Sequence, residues 1–256
     1  MNGTLYKIFR LTLIVLLILL ASVNVANTEG VCDAPDEIAL QSWRRAYWKV
    51  TRIVGHDLSD DAFAGLNRAL KSTDSENVIK AAENIKGLPK YVGGGKQGIE
   101  PFLENISKLG PNTKGLDKVL NCTGGGKFQA QGALTQIKYA AKKLPGEDVR
   151  FEVSVNSEYG KTILDIIHGD DLIELKNINW WHFKNSSIEE IKLAFKGKAL
   201  EQARKQYDYC IQNGLRYQYV FEQLVPPELK DKVTEAILDV FSEFSENINI
   251  RYGVIY

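Results

Sequence analysis

Residues 159–177 read YGKTILDIIHGDDLIELKN, two apolar runs that meet at Gly169-Asp170. A glycine and an aspartate between such runs signal a two-residue hairpin turn, with glycine first as a type II′ turn prefers. Pairing outward from the turn sets His168 opposite Asp171, Ile167 opposite Leu172, Ile166 opposite Ile173, Asp165 opposite Glu174 and Ile163 opposite Lys176. Opposed residues share a face of the sheet, as do residues two apart along a strand. This register predicts that Asp165, Glu174 and Lys176 converge on one side. A slip of one residue would scatter them.

Two carboxylates opposed in this way, with Cβ atoms about 4.5–5.5 Å apart, repel each other. Burial adds to the cost, because an unpaired charge loses its hydration. Lys176 can neutralise only one of them. A divalent cation with oxygen ligands, Mg²⁺ or Mn²⁺, would satisfy both Asp165 and Glu174. The lysine would then be free to orient an attacking water or to stabilise charge on a transferring phosphate. The alternative is a structural salt bridge from Lys176 to either acid on a solvent-facing edge. The apolar content of both strands argues that the face is covered.

A chain of 256 residues can bury a real core in one or two domains. With 44% hydrophobic and 25% charged residues it has the composition of a globular protein, which excludes disordered and fibrous classes. The formal net charge is zero, so no global basic field announces a nucleic-acid partner; local patches decide that question. At the N-terminus, Lys7 and Arg10 precede an apolar run from Leu11 to Ala21 and then small and polar residues near Ala26. This pattern describes a secretory signal peptide over residues 1–26. The run falls short of the roughly 20 residues that a spanning helix needs, so a secreted protein without a stable membrane span after cleavage is expected. In an oxidising compartment Cys32 and Cys122, in loop-like surroundings, are expected to pair, leaving Cys210 as a buried thiol. Asn105, Asn121 and Asn185 head glycosylation triplets.

The remaining pattern divides the chain in two. Residues 29–125 read as a helical region, with apolar spacing in IALQSWRRAYWKVTRI, LSDDAFAGLNRALKS capped at Ser59, SENVIKAAENIKGL capped near Asp74 or Ser75, and GIEPFLENISKLG. Glycine runs at Gly93–Gly95 and Gly124–Gly126 punctuate it, the second marking a domain boundary. Each run is followed by lysine, but neither has the earlier glycine or the following Ser/Thr of a phosphate loop. From residue 126 to 256 the order is a helix over Phe128–Leu144, a strand over Val149–Val155, the hairpin, and a long helix from Ser187 to Asn213 ended by Gly214. A strand in LRYQYVFEQL, a helix opened by Pro227 and a final strand in NINIRYGVIY complete the order αβββαβαβ, a mixed α+β sheet flanked by helices.

Asp165 followed by Glu174-Leu175-Lys176, in a hairpin flanked by helices, resembles the PD-(D/E)xK restriction-endonuclease-like nuclease superfamily. The αβββαβ order from Phe128 onward is similar to that family's core, preceded here by an all-helical region. The second half also resembles the C-terminal toxin domains of bacterial contact-dependent and polymorphic toxins. The resemblance implies a secreted, metal-dependent endonuclease with Asp165 and Glu174 as ligands of Mg²⁺ or Mn²⁺ and Lys176 as base or water-positioning group. It implies a DNA or RNA substrate, with DNA preferred and transfer RNA among the RNA targets, and a cognate inhibitor protein as partner. A catalytically inactive binding protein on the same fold is the contrasting expectation. The family often adds a glutamine on the helix after E-x-K, and Gln202 and Gln206 lie one turn apart there. Many members carry a glutamate on the first core helix; Phe128–Lys143 has no acid, with Gln136 the nearest substitute and Glu152 or Glu158 placed to compensate. Trp180 and Trp181 can serve base stacking or core packing. The lysines and arginine of residues 192–205 can track phosphates or form a solvated face with the acids among them.

Overall fold

The computed structural model describes residues 37–54, 58–73, 77–88, 96–244 and 248–253. Its sheet follows from the hairpin. Gly169, at φ 53°, takes the positive-φ corner that only glycine adopts freely, and His168↔Asp171, Ile167↔Leu172 and Ile166↔Ile173 pair as the turn predicts. Strands β1 (Arg150–Ser157), β2 (Gly160–His168) and β3 (Asp171–Lys176) form an antiparallel meander; β4 (Arg216–Phe221) and β5 (Ile248–Tyr252) add in parallel, giving the order β1-β2-β3-β4-β5. The protein is therefore a mixed α+β chain, with helices preceding and flanking one five-stranded sheet.

Nine α-helices lie among the described residues. Helices α1 (Glu37–Val54), α2 (Asp60–Lys71), α3 (Val78–Gly87) and α4 (Lys96–Ser107) match the predicted segments, with the Ser59 hydroxyl accepting the Ala62 amide at 3.2 Å as the α2 cap. Helix α5 (Leu116–Thr123) was not expected, although Leu116, Val119, Leu120 and Thr123 form its buried stripe. Helix α6 (Lys127–Lys143) precedes the sheet. The single long helix expected over 187–213 is instead two, α7 (Ile188–Phe195) and α8 (Lys198–Asn213), parted at Gly197 with φ 82° and ψ −128°. The break lets α7 seat Ile191 and Phe195 beside Trp180 while α8 runs along β1, β2 and β4, two directions that one straight helix cannot serve. Gly214 caps α8 in the left-handed conformation, as expected. A 3₁₀ turn at Pro227–Leu229 leads into α9 (Lys230–Val240).

The two faces of the sheet carry separate cores. On one face, residues from α1 to α6 pack against Phe151, Ile166, Ile173, Leu175 and Val220, so a continuous cluster runs from the N-terminal helices across residue 126 onto the strands. On the other, α7, α8 and α9 cover Leu164, Ile167, Leu172, Tyr217, Tyr219 and Phe221. Strict alternation would put Leu164 and Ile166 on one face, yet they belong to opposite cores. The alternation breaks at Asp165, beside Glu152, the one non-glycine residue with positive φ (48°) among the described residues. Trp180 resolves to packing: it is buried, donates its indole N–H to the Gln223 carbonyl at 3.0 Å and lies against Phe195 and Phe221, whereas Trp181 is exposed. No described helix is long and apolar enough to cross a membrane. The expected signal peptide, Cys32 with its expected bond to Cys122, the first glycine run and the expected Asp74/Ser75 cap lie outside the described residues.

Candidate functional site

Glu174 is the one acid in the buried class among the described residues, 1% exposed, on the α8 side of β3. It survives there because three donors meet it. The Lys176 ammonium, two residues on and so on the same face, bonds its Oε1. From α8, Gln202 Nε2 donates to Oε1 at 3.1 Å and Gln206 Nε2 to Oε2 at 2.6 Å. Gln206 is itself fully buried; its amide also donates to the Ile163 carbonyl at 2.9 Å, and its Oε1 accepts the Tyr217 hydroxyl at 2.7 Å. The Glu174 carboxylate and the Ile163 carbonyl can only accept, which points the amide NH₂ at them and leaves its Oε1 to accept from the Tyr217 hydroxyl. The expected approach of Gln202 and Gln206 to the sheet is thus realised one turn apart on α8.

Asp165 departs from the expected geometry. The β2–β3 ladder ends at Ile166↔Ile173, and Asp165 accepts the Leu175 amide on Oδ2 at 2.8 Å. Its Oδ1 accepts from Gln136 Nε2 at 3.2 Å, and Gln136 comes from α6, on the sheet face opposite α8. The prediction that all three charged groups stand on one face is corrected here: Glu174 and Lys176 do, while Asp165 sits at the splayed end of the ladder between the two faces. The physical reason is that a short carboxylate satisfies a backbone N–H left unpaired by the splay more readily than it tolerates a second buried carboxylate directly opposite.

The electrostatics follow. Burial, then the Glu174 charge, push the Asp165 carboxyl well above its ordinary range, against the pull of Lys176 and the Leu175 amide. Burial, the largest single influence, would lower the Lys176 ammonium; the charges of Glu174, Tyr219 and Asp165 and the bond to Glu174 together outweigh it and raise the lysine above its ordinary value. Its Nζ also lies 5.7 Å from the Tyr219 ring centroid. The Tyr219 hydroxyl is buried without a partner. Gln136 and Glu152, which the sequence marked as stand-ins for a helix acid, are at the site: Gln136 Nε2 donates to Glu152 Oε1 at 2.6 Å. Glu158 lies exposed in the β1–β2 turn, and His168 stands 3.7 Å from Glu147 at the turn end of the hairpin. The basic residues of α7 and α8 are largely committed, Lys192 to Glu189 and Asp239, Arg204 to Glu243 and Lys205 to Glu201. Cys210 is a buried thiol as expected, pushed up to about 12 by burial.

The donor set suits a hard divalent cation. An ionised carboxylate offers about four acceptor positions; two of those on Asp165 and three of those on Glu174 are taken by the bonds above, so both retain capacity. Two carboxylates facing one ammonium leave negative charge to be compensated. No group of three or more His, Cys, Asp or Glu side chains converges on one ion position among the described residues. The fit is therefore to two carboxylate ligands completed by water, the arrangement that Mg²⁺ accepts readily. Compared with known proteins, the chain matches no family model, no curated protein and no solved structure.

Proposed function

We propose that the chain is a secreted, toxin-like endonuclease that hydrolyses phosphodiester bonds with the help of Mg²⁺ or Mn²⁺, DNA being its preferred substrate and RNA, including transfer RNA, the alternative. One observation carries the reading: a buried acid two residues before a lysine, with a second acid bonded to the amide of the residue between them, brings two carboxylates and one ammonium within electrostatic reach of one another. Asp165 and Glu174 would hold the ion, which supplies Lewis-acid polarisation of a phosphoryl oxygen. Lys176, bonded to Glu174, acts as the base or as a water-positioning or phosphate-stabilising group. Gln202, bonded to Glu174 and 3.5 Å from the Lys176 ammonium, and Gln206 orient these two groups. In the reaction the oxygen of water bonds to phosphorus as the bond to the leaving sugar oxygen breaks; that oxygen takes a proton from solvent, and the attacking water releases one.

Incubating the mature protein with plasmid DNA and with total RNA, in Mg²⁺, Mn²⁺ or EDTA, tests this. Cleavage should require the metal and fall by at least about 10²-fold in Asp165→Ala and Lys176→Ala. Cleavage surviving both substitutions would remove the site assignment. A second reading, a binding protein without catalysis, is favoured by the three bonds that Glu174 already accepts; absence of cleavage of either polymer, with nucleic-acid binding retained, would select it.

A further inference from the structure

Trp180 and Trp181 are neighbours in the 3₁₀ turn Trp180–Phe183 that follows β3, yet the fold treats them in opposite ways. Trp180 is buried and anchors the turn. Trp181 is 53% exposed and stands on a fixed base: its amide donates to the Asn179 side chain at 3.2 Å, and its carbonyl accepts the Lys184 amide at 3.2 Å. Gln223, whose carbonyl takes the Trp180 indole N–H, also donates its side-chain amide to Asn177 Oδ1 at 3.2 Å, which ties the turn to the chain after β4. A side chain on so well held a backbone meets a partner at low ordering cost. The Lys184 ammonium lies 5.9 Å from the Trp181 ring centroid and makes no ion pair among the described residues, unlike Lys192, Arg204 and Lys205. Exposed Tyr159 has a cation beside it too, but that cation is Arg204, already committed to Glu243. An exposed indole with an uncommitted ammonium matches a nucleotide, offering its ring to a base face and its cation to a phosphate.

We infer that Trp181 and Lys184 form a stacking platform for an unpaired base next to the cleaved phosphate, which makes single-stranded nucleic acid the substrate class. Ring contacts run without a gap from the site to the turn. The Lys176 ammonium lies 5.7 Å from the Tyr219 centroid, Tyr219 lies 5.3 Å from Phe221, and Phe221 lies 5.0 Å from Trp180. A few nucleotides rising about 3.4 Å each span that path. The recess at the site selects the strand state. The Lys176 side chain is only 25% exposed and that of Glu174 1%, so a phosphate must enter to reach them. A flexible single strand bends inward, whereas a duplex with a persistence length of about 150 bp meets only the rim. Within a duplex, moreover, both faces of each base are covered by its neighbours, and the indole has nothing to stack on. Every base has a π-face, so the platform tolerates sequence and takes DNA and RNA alike. The inference rests on the proposed function for the reaction served; the platform itself is tested by binding, without metal.

The experiment is a titration of the full mature chain in EDTA against labelled oligothymidylate, oligouridylate and a DNA duplex of the same length, followed by fluorescence anisotropy. Wild type should bind the single strands at least about 10-fold more tightly than the duplex. Trp181→Ala should weaken single-strand binding by about 10-fold or more and erase that preference, while Trp181→Phe keeps most of it. Lys184→Ala should reduce the slope of log affinity against log salt by about 0.7. The thermal midpoint of Trp181→Ala should match wild type, because the ring is exposed, so the loss reads the ring and not the fold. Whichever single strand binds more tightly, the platform stands, and the difference assigns DNA or RNA. Equal binding of duplex and single strand, or wild-type affinity in Trp181→Ala, would overturn it; cleavage abolished by Asp165→Ala would then leave the nuclease reading intact. Trp181-dependent binding of single strands without cleavage of either polymer would uphold the platform and overturn the nuclease reading. Neither binding nor cleavage would overturn both.

Discussion

Replacing Gln206 with leucine keeps the volume of a fully buried side chain and deletes every polar contact it makes. Three partners lose a bond at once: Glu174 Oε2, the Ile163 carbonyl and the Tyr217 hydroxyl. A hydrogen bond to a charged group contributes about 1.5–3 kcal/mol, and a buried neutral group left unpaired costs about 1–3 kcal/mol. Even with relaxation absorbing part of this, Gln206→Leu should destabilise the fold by roughly 3–5 kcal/mol, a large share of the 5–15 kcal/mol typical of a domain. Urea denaturation followed by far-UV circular dichroism measures it. Tyr217→Phe alone should cost about 1 kcal/mol, the value of a neutral bond. In the Gln206→Leu background, the same change should cost nothing or restore stability, because the hydroxyl it removes is by then an orphan. A Gln206→Leu protein within 1 kcal/mol of wild type, or a Tyr217→Phe cost equal in both backgrounds, would refute the assignment of Gln206 as the link between Tyr217 and Glu174.

Further outcomes follow from the same structure. Asp165 has a folded-state pKa raised above its unfolded value near 3.9, so its contribution to stability is fully present below that value and is lost as pH rises through the folded pKa. Asp165→Asn should therefore gain stability relative to wild type as pH rises above about 4 in EDTA; a flat or shrinking difference in urea midpoints would contradict the burial of this charge. Gly65 lies where α2 meets α4, and an added Cβ would sit 1.8 Å from the Leu103 carbonyl oxygen, so Gly65→Ala should cost about 3 kcal/mol or more. Gly132 in α6 has open space around it, and Gly132→Ala should stabilise by about 0.4–1 kcal/mol. Thermal melts of the two proteins should move in opposite directions.

Much of the second half was legible because its signals are local. Gly169 needs a positive φ, the runs on either side are apolar, and the side-chain period of a strand is two; together these set the β2–β3 register and put Glu174 and Lys176 on one face. The Leu116–Thr123 helix went unread although its stripe has helical spacing, because at eight residues it is short and carries no side-chain cap. The Gly197 break was hidden by a continuous helical pattern, since a glycine inside a helix is tolerated until packing calls for two directions.

The sequence by itself determined the turn, the register and the pairing of Glu174 with Lys176, since these depend on residues within a few positions of one another. Only the tertiary structure decided how each acid is satisfied. Gln206 meets Glu174 because α8 lies across the sheet at one rotational setting, and Gln136 meets Asp165 because α6 covers the opposite face. Those settings come from burying Ala203 and Cys210 on one side and Ala133, Ile137 and Ala140 on the other. Helix periodicity names the apolar stripe, but the polar residue at its edge finds its partner only when two distant surfaces are packed together. The turn of Asp165 out of the plain alternation belongs to the same level. It is imposed by a splayed ladder and a free Leu175 amide, neither of which is written in the spacing of the strand.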